Sequence, residues 1–548
     1  MDIIFWPITN HVKATINRTF EGREAWQIVS TSVTTVVVVT NLFRFLFQKE
    51  ENIIERTKKT AFKLLRKIPS IKKKIDEELE TVTKNFEDSM KNKTKDLLYI
   101  TQLPKEGMGK EAIFKSLDEN LSLGNYDWKG GQVSGAVYYF NQDLIDLVSA
   151  VYGKTSYTNP LHPDLFPGLC KMEAEVVRMT IDLFHGGPDA VGSMTSGGTE
   201  SILMACKAFR DYARDIKGIT HPEIVVPITA HSAFDKAAQF FKLKIRSIPI
   251  DPLTCQVDLV KYKKAINNNT VMLVASAPNF PYGTMDNIST ISEFGIRYEV
   301  PVHVDSCLGG FLSCFMEEAG YPIPICDFRL PGVTSISADT HKYGYTPKGS
   351  SVIMYKEKKY RHYQYTVSTE WPGGVYGSPS VSGSRPGGNI AVCWAAMLNF
   401  GRDQYVQATR EIIHTTRYIE KGLRRMKGIF VFGNPVTSVV AIGSKDFEVY
   451  RLSSALEEKG WNLNALQFPS GLHICVTRQH TQPGVADKFL DDVRDCLDEI
   501  LKDPGLPVEG KMAIYGVAQS LPDRSIVVDF TRIFLDSMLY TPVKEIKY

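Results

Sequence analysis

The chain has 548 residues, 43% of them hydrophobic and 23% charged, with a formal net charge of +3. That length and apolar share supply a large core and imply more than one domain. A balance so near neutral gives no general case for nucleic-acid binding. The nine cysteines show no C-x-x-C or Cys/His metal spacing, so they read as reduced, buried thiols of a cytosol-facing protein.

The first predicted element is a transmembrane helix over residues 25–47. Its apolar run, "AWQIVSTSVTTVVVVTNLF" from Ala25 to Phe43, carries no charge and is bracketed by Glu24 and Arg44. As a helix it spans about 28 Å, close to the hydrocarbon thickness of a bilayer. Trp26 at one end and Phe43, Phe45 and Phe47 at the other suit the two interfaces. A signal peptide would need a small-residue cleavage site after the run, and "RFLFQKEE" follows instead. Eleven Lys or Arg lie between Arg44 and Lys74, against three before the span. The positive-inside rule therefore puts residues 1–24 in the lumen and the bulk of the chain in the cytosol. Asn17 opens an "NRT" sequon on the lumenal side. Residues 48–125 read as a basic linker of amphipathic helix, with anionic lipid heads as an alternative contact.

The middle of the chain alternates short β-branched runs with helical stretches. "EIVVPITA" (223–230), "TVMLVASAP" (270–278), "VPVHVD" (300–305) and "VTSISAD" (333–339) suit strands buried on both faces. The fold class is therefore α/β, with a mostly parallel sheet in a large domain over 126–389. In such sheets ligands sit at the carboxyl ends of the strands. Those ends deliver His231, Asp305, and the group Asp339, His341 and Lys342. Upstream, "TSGGTES" (195–201) is a glycine-rich turn opening a helix, where Gly197, Gly198 and Thr199 let backbone N–H groups meet a phosphate. Singly, each residue reads first as structure: a cap, a buried histidine, a solvated lysine. Jointly they match what pyridoxal phosphate demands. Lys342 offers the Schiff-base amine, Asp305 an anion for the pyridine nitrogen, and His231 a flat partner for the ring. The Gly198–Thr199 turn offers donors for the phosphate. A protonated His341 would bind that phosphate too and lower the pKa of Lys342.

"TSGGTES", "ADTHKYGY", "PVHVDSCLGGF" and "GSRPGG" resemble the group II pyridoxal-phosphate decarboxylase superfamily, fold type I. "GQVSGAVYY", "NPLHPDLFPGL", "SADTHKYGYTPKGSS" and "GWNLNALQFP" look more closely like the eukaryotic sphingosine-1-phosphate lyase family, over almost all of the chain from about residue 100. The resemblance implies a homodimer with shared active sites, anchored in the endoplasmic reticulum membrane with a cytosolic catalytic domain. It implies cleavage of sphingoid-base 1-phosphates to a long-chain aldehyde and phosphoethanolamine. Lys342, His231 and Asp305 fall at its catalytic positions, and Gly198, Thr199, His341 and Ser384 join them around the cofactor. Tyr138, His162 and Lys348, with Asn159 nearby, match its substrate-phosphate binders. Ser384 and Arg385 lie in a loop that resembles one reaching across the dimer. From the residues alone, "HPDLFPG" reads first as a rigid loop, and Tyr282 at a strand end has no assigned role.

From residue 390 to 548 a small C-terminal α+β domain is predicted. "GIFVFGNPVTSVVAIGS" (428–444) reads as strand, turn, strand, and "VADKFLDDVRDCLDEILKD" as an amphipathic helix. The tail beyond about 505 reads equally as packing or as a partner contact. Two other functions stay open: an amino-acid decarboxylase of the same superfamily, and a membrane scaffold on an inactive enzyme fold. Lys348 favours a phosphate-bearing substrate over the first, and the intact set Lys342, Asp305 and His231 argues against the second.

Overall fold

The computed structural model describes residues 13–15, 17–47, 53–94, 97–508 and 524–542. The chain forms two compact units, one of residues 1–123 with 520–548, the other of residues 124–519.

In the first unit, Ala25–Phe47 is one helix. Over Ala25–Phe43 its mean hydropathy is 1.3 and none of it is buried within the protein. Val33 and Val36 through Val39 are exposed. A helix apolar on every side and uncovered by protein calls for a non-aqueous surround, consistent with a single-pass membrane anchor. The basic stretch after it forms helices Ile53–Leu65 and Pro69–Lys93, with Pro69 at the first turn, where no amide donor is lost. Part of the predicted linker, residues 48–52, lies outside the described residues. The tail forms helix Ser525–Ser537, which packs on Pro69–Lys93. Phe534 meets Phe86 edge-on at 5.6 Å, and Arg66 pairs with Asp529 at 2.7 Å. Residues 509–523 and 543–548 of the tail lie outside the described residues.

The second unit is built on a seven-stranded sheet. In chain order its strands are β1 (Val191–Thr195), β2 (Glu223–Pro227), β3 (Lys244–Ile248), β4 (Thr270–Ser276), β5 (Val302–Asp305), β6 (Val333–Ala338) and β7 (Ser351–Tyr355). Across the sheet they run β1-β7-β6-β5-β4-β2-β3. β2 through β6 are parallel, while β7 runs antiparallel to both neighbours. The sheet is thus mixed, with one reversed strand. That reversal has a consequence for the site. The chain leaves β6 and re-enters the sheet at the same edge, so residues 339–350 never cross to the far end. They stay at the carboxyl ends of the parallel strands, beside the turn that follows β1, because Thr195 is opposite Ser351.

The two faces of the sheet differ. Val302, Val304, Ile336 and Ala338 point into the main core, whereas His303, Asp305, Ser335 and Ser337 line the opposite face. Val274, Ile224 and Val226 share that second face, with helix Gly198–Lys217 and Phe234 packed over it. A four-stranded antiparallel sheet (Phe430–Val431, Val439–Gly443, Gly471–Cys475, Asn464–Leu466) and helix Val485–Ile500 follow the long helix Gly387–Leu423. The predicted strand–turn–strand over 428–444 is the pair Phe430–Val431 and Val439–Gly443. Tyr343 anchors the loop after β6 to this second sheet. Its hydroxyl lies 2.6 Å from both Ser438 Oγ and the Val476 carbonyl. Tyr282 is buried against Phe432 at 5.0 Å, an ordinary core contact.

Candidate active site

Lys342 sits one short turn after β6. Its Nζ lies 2.8 Å from Asp339 Oδ2, and the Asp339 side chain is only 2% exposed. Burial alone would lower the Lys342 ammonium, but the Asp339 carboxylate outweighs it and holds the amine charged. His341 Nε2 lies 3.6 Å from the same carboxylate. Burial pushes the His341 pKa below its ordinary value in spite of Asp339, and Lys348 and Lys342 push it the same way. The expectation of a protonated His341 that lowers the pKa of Lys342 is therefore corrected. The charged partner of Lys342 is an acid, and it acts in the opposite direction.

The loop is clamped from within. Ser350 Oγ lies 2.7 Å from the hydroxyls of both Thr340 and Thr346, closing residues 340–350 into a compact turn. Lys348 is exposed at its rim. Its ammonium stands 4.8 Å over the Tyr138 ring and donates to the His341 carbonyl at 3.4 Å. Partial burial first, and Lys342 second, hold the Lys348 pKa below the usual lysine range. Tyr138 is buried, meets Tyr343 edge-on at 4.8 Å, and has its phenol pushed up by burial.

Gly198 begins the helix after β1. A Cβ there would fall 2.7 Å from Cys307 Sγ and 2.8 and 2.9 Å from the two Asp339 oxygens. Only glycine brings the helix N-terminus this close to the Lys342 loop. Thr199 follows it, half-buried, on the first turn. Asp305, 7% exposed at the end of β5, accepts the Cys307 amide at 3.0 Å and the Ser337 hydroxyl at 3.4 Å. His231 stands exposed beyond β2, its Nδ1 accepting the Ala233 amide at 3.1 Å.

The structure therefore gathers Tyr138, Gly198, Asp305, His341, Lys342 and Lys348 at one edge of the sheet, with His231 at a neighbouring strand end. Asn159, His162 and Ser384 lie in a neighbouring patch around Arg385, which lines one cavity with Thr195, Ser196, Glu200 and Gly349. Asn159 Oδ1 accepts the Arg385 amide at 3.2 Å, and Gly387 donates to the Thr158 carbonyl at 3.0 Å. The Arg385 guanidinium is taken up by Glu173 at 2.6 Å, so it is a structural ion pair within the chain. His162 and Ser384 are exposed. Among the described residues, no hydrogen bond joins this patch to Lys342 or Lys348.

The pyridoxal-dependent decarboxylase conserved domain matches residues 93–443. Sphingosine-1-phosphate lyase of Drosophila melanogaster is 57% identical over 527 residues, covering 96% of this chain and 96% of the fly protein. The chain belongs to the sphingosine-1-phosphate lyase family. The mouse protein, sphingosine-1-phosphate lyase 1, is 50% identical, with 94% of this chain and 90% of its own length covered. The solved lyase of Burkholderia pseudomallei K96243 superposes with a TM-score of 0.76 at 38% identity, over 82% of this chain and 99% of that one. A Lactobacillus brevis glutamate decarboxylase, at 19% identity and a TM-score of 0.64, shares the fold.

Lyases of this family use pyridoxal phosphate, and the residues present fit it. Three buried polar atoms at the strand ends have no hydrogen-bond partner within the protein: Thr229 Oγ1, Ser276 Oγ and Asp339 Oδ1. Ser276 lies directly opposite Asp305 across β4 and β5. Buried polar groups without partners are rare and point to a polar ligand. The space a Gly198 Cβ would fill lies 2.8 Å from one of them, Asp339 Oδ1. Gly198→Ala is therefore expected to weaken cofactor affinity by one to two orders of magnitude, from overpacking of about 1–3 kcal/mol. Fluorescence titration of the apo-protein with pyridoxal phosphate measures it, and unchanged affinity would count against this cradle. The sequence marks Asp339 as a strand-end residue but not its pairing with Lys342; Ser276 and the pair His303–Ser337 escaped the sequence reading. For His303 and Ser337 the signal is a polar residue at alternate positions of β5 and β6; Ser276, at the end of an apolar strand, carries none.

Proposed function

We propose that the protein cleaves the C2–C3 bond of sphingoid-base 1-phosphates, giving a long-chain aldehyde and phosphoethanolamine. The observation that carries this reading is the second cation. Lys348 stands over Tyr138 beside Lys342, so one site offers a charge for a substrate phosphate besides the donors needed by the cofactor. An amino-acid decarboxylase would instead need a site for its substrate's carboxylate, and the apolar helix Ala25–Phe47 together with Lys348 favours a lipid phosphate.

Pyridoxal phosphate, when bound, supplies the electron sink for the pair left on C2. Lys342 would hold the cofactor covalently, and Asp305 would pair with its ring nitrogen. His231 would stack on the ring, and Gly198, Thr199 and His341 would donate to its phosphate. Lys348 and Tyr138 bind the substrate phosphate and so fix the rotation about the bond that must break. The 3-hydroxyl loses its proton as the C2–C3 bond breaks and the carbonyl forms, and C2 then takes a proton.

The protein acts as a homodimer with shared sites. The exposed His162 and Ser384, with Asn159, make no hydrogen bond to Lys342 or Lys348 among the described residues, and a second copy would supply the match. The apolar helix Ala25–Phe47 anchors it in the endoplasmic reticulum membrane, N-terminus lumenal, with the eleven basic residues between 44 and 74 on the cytosolic side. Incubation with sphingosine 1-phosphate should release aldehyde and phosphoethanolamine and no carbon dioxide. Carbon dioxide from an amino acid, without aldehyde release, would overturn the reading.

A further inference from the structure

β5 and β6 run side by side with His303 opposite Ser335 and Asp305 opposite Ser337. Side chains two apart share a face, so these four polar residues form a square on one side of the sheet. His303, Ser335 and Ser337 are fully buried. The same positions on the other face hold Val and Ile, which would fill the space at no polar cost. The square is instead closed by hydrogen bonds. His303 Nδ1 lies 2.8 Å from Ser335 Oγ, and Nε2 lies 3.2 Å from Ser337 Oγ. Ser337 Oγ is in turn 3.4 Å from Asp305 Oδ1.

The acceptor at one end sets the direction of the chain. An ionised carboxylate only accepts, so Ser337 donates to Asp305. Its oxygen then accepts from His303 Nε2–H, and Nδ1 accepts from Ser335. Burial, opposed by the Asp305 charge, holds the His303 pKa down at about 4, so the imidazole is neutral. Ser337 and the Cys307 amide both engage Oδ1; among the described residues no hydrogen bond reaches Oδ2. His303 also meets Phe234 edge-on at 6.0 Å, in the helix Ala233–Phe241 whose first amide His231 receives.

We propose that His303 is a positioning residue: through Ser337 it orients the Asp305 carboxylate, and through Phe234 it seats the helix that presents His231. It touches neither cofactor nor substrate. The inference rests on Asp305 as the partner of the cofactor's ring nitrogen, and it adds what keeps that carboxylate in place.

Four variants of the full-length protein test it: His303→Leu, His303→Gln, Ser337→Ala and Asp305→Asn. The readouts are pyridoxal phosphate affinity, the visible absorbance and circular dichroism of the bound cofactor, and the apo-protein's thermal midpoint. One hydrogen bond to a charged group carries a factor on the order of ten. His303→Leu and Ser337→Ala should each weaken cofactor binding about tenfold and alter its dichroism, and the double variant should be no worse than either. His303→Gln, which can still accept from Ser335 and donate to Ser337, should restore most of the affinity. If Asp305→Asn changes the cofactor spectrum while Ser337→Ala and a folded His303→Leu leave it intact, the histidine only packs and the proposal falls. If His303→Leu does not fold, Ser337→Ala decides alone. An unchanged spectrum in Asp305→Asn overturns the assignment of Asp305, and the relay with it.

Discussion

Lys342→Ala is expected to abolish turnover, by roughly a thousandfold or more, and to remove the visible absorbance of a lysine-linked cofactor. The other amine of the cluster, Lys348, stands at the rim over the Tyr138 ring, whereas Lys342 lies against the buried Asp339, so the covalent role is assigned to Lys342. The geometry adds a complication that sequence alone did not raise. Lys342 neutralises Asp339, whose carboxylate is buried and whose Oδ1 already lacks a partner. Removing the ammonium strands that charge, at a cost of about 3–5 kcal/mol for an uncompensated buried ion. Loss of activity in Lys342→Ala therefore needs a control for folding. Lys342→Arg provides it, since arginine keeps the charge beside Asp339 but stays protonated at any working pH and offers no free amine. The expected pair of results is a destabilised, inactive alanine variant and a folded, inactive arginine variant. Full aldehyde release by either would remove Lys342 from its role.

How far this site was legible in the sequence depended on where each residue lies along its strand. His231, Asp305 and Lys342 follow β-branched runs, and a parallel sheet brings such ends to one edge whatever the loops do. The loop 339–350 stays there because β7 reverses, a fact of pairing that composition does not reveal. The predicted strands ran up to three residues past the observed ends, as at β2, where "ITA" leaves the ladder to carry Thr229 toward His231. Charge states were harder to read. His341 next to Lys342 looked like a cation that would ease loss of the lysine proton. Burial and the neighbouring Asp339 reverse both halves of that expectation. The tail helix Ser525–Ser537 was unreadable for a different reason. Its apolar face is satisfied by Phe86 and its charge by Arg66, both more than 400 residues away in sequence.

Lys348→Ala should separate the two phosphates. The ammonium is exposed at the rim, spends one weak hydrogen bond on the His341 carbonyl, and otherwise rests on the Tyr138 ring. Little in the fold depends on it, so the variant should match the parent in thermal midpoint and in cofactor spectrum. Substrate use is another matter. A charge-assisted hydrogen bond to a phosphate, in a site where Lys342 already draws the Lys348 ammonium toward deprotonation, is worth about 2–3 kcal/mol. That converts to a fall of roughly a hundredfold in kcat/KM. Because the phosphate also fixes the rotation of the scissile bond, part of the loss should appear in kcat and not in KM alone. Lys348→Arg should recover part of the activity, having the charge but a different reach. A lysine serving the cofactor would give the opposite pattern, with weakened pyridoxal phosphate binding and an altered spectrum at unchanged substrate KM. Measuring both constants on one preparation of Lys348→Ala decides between them.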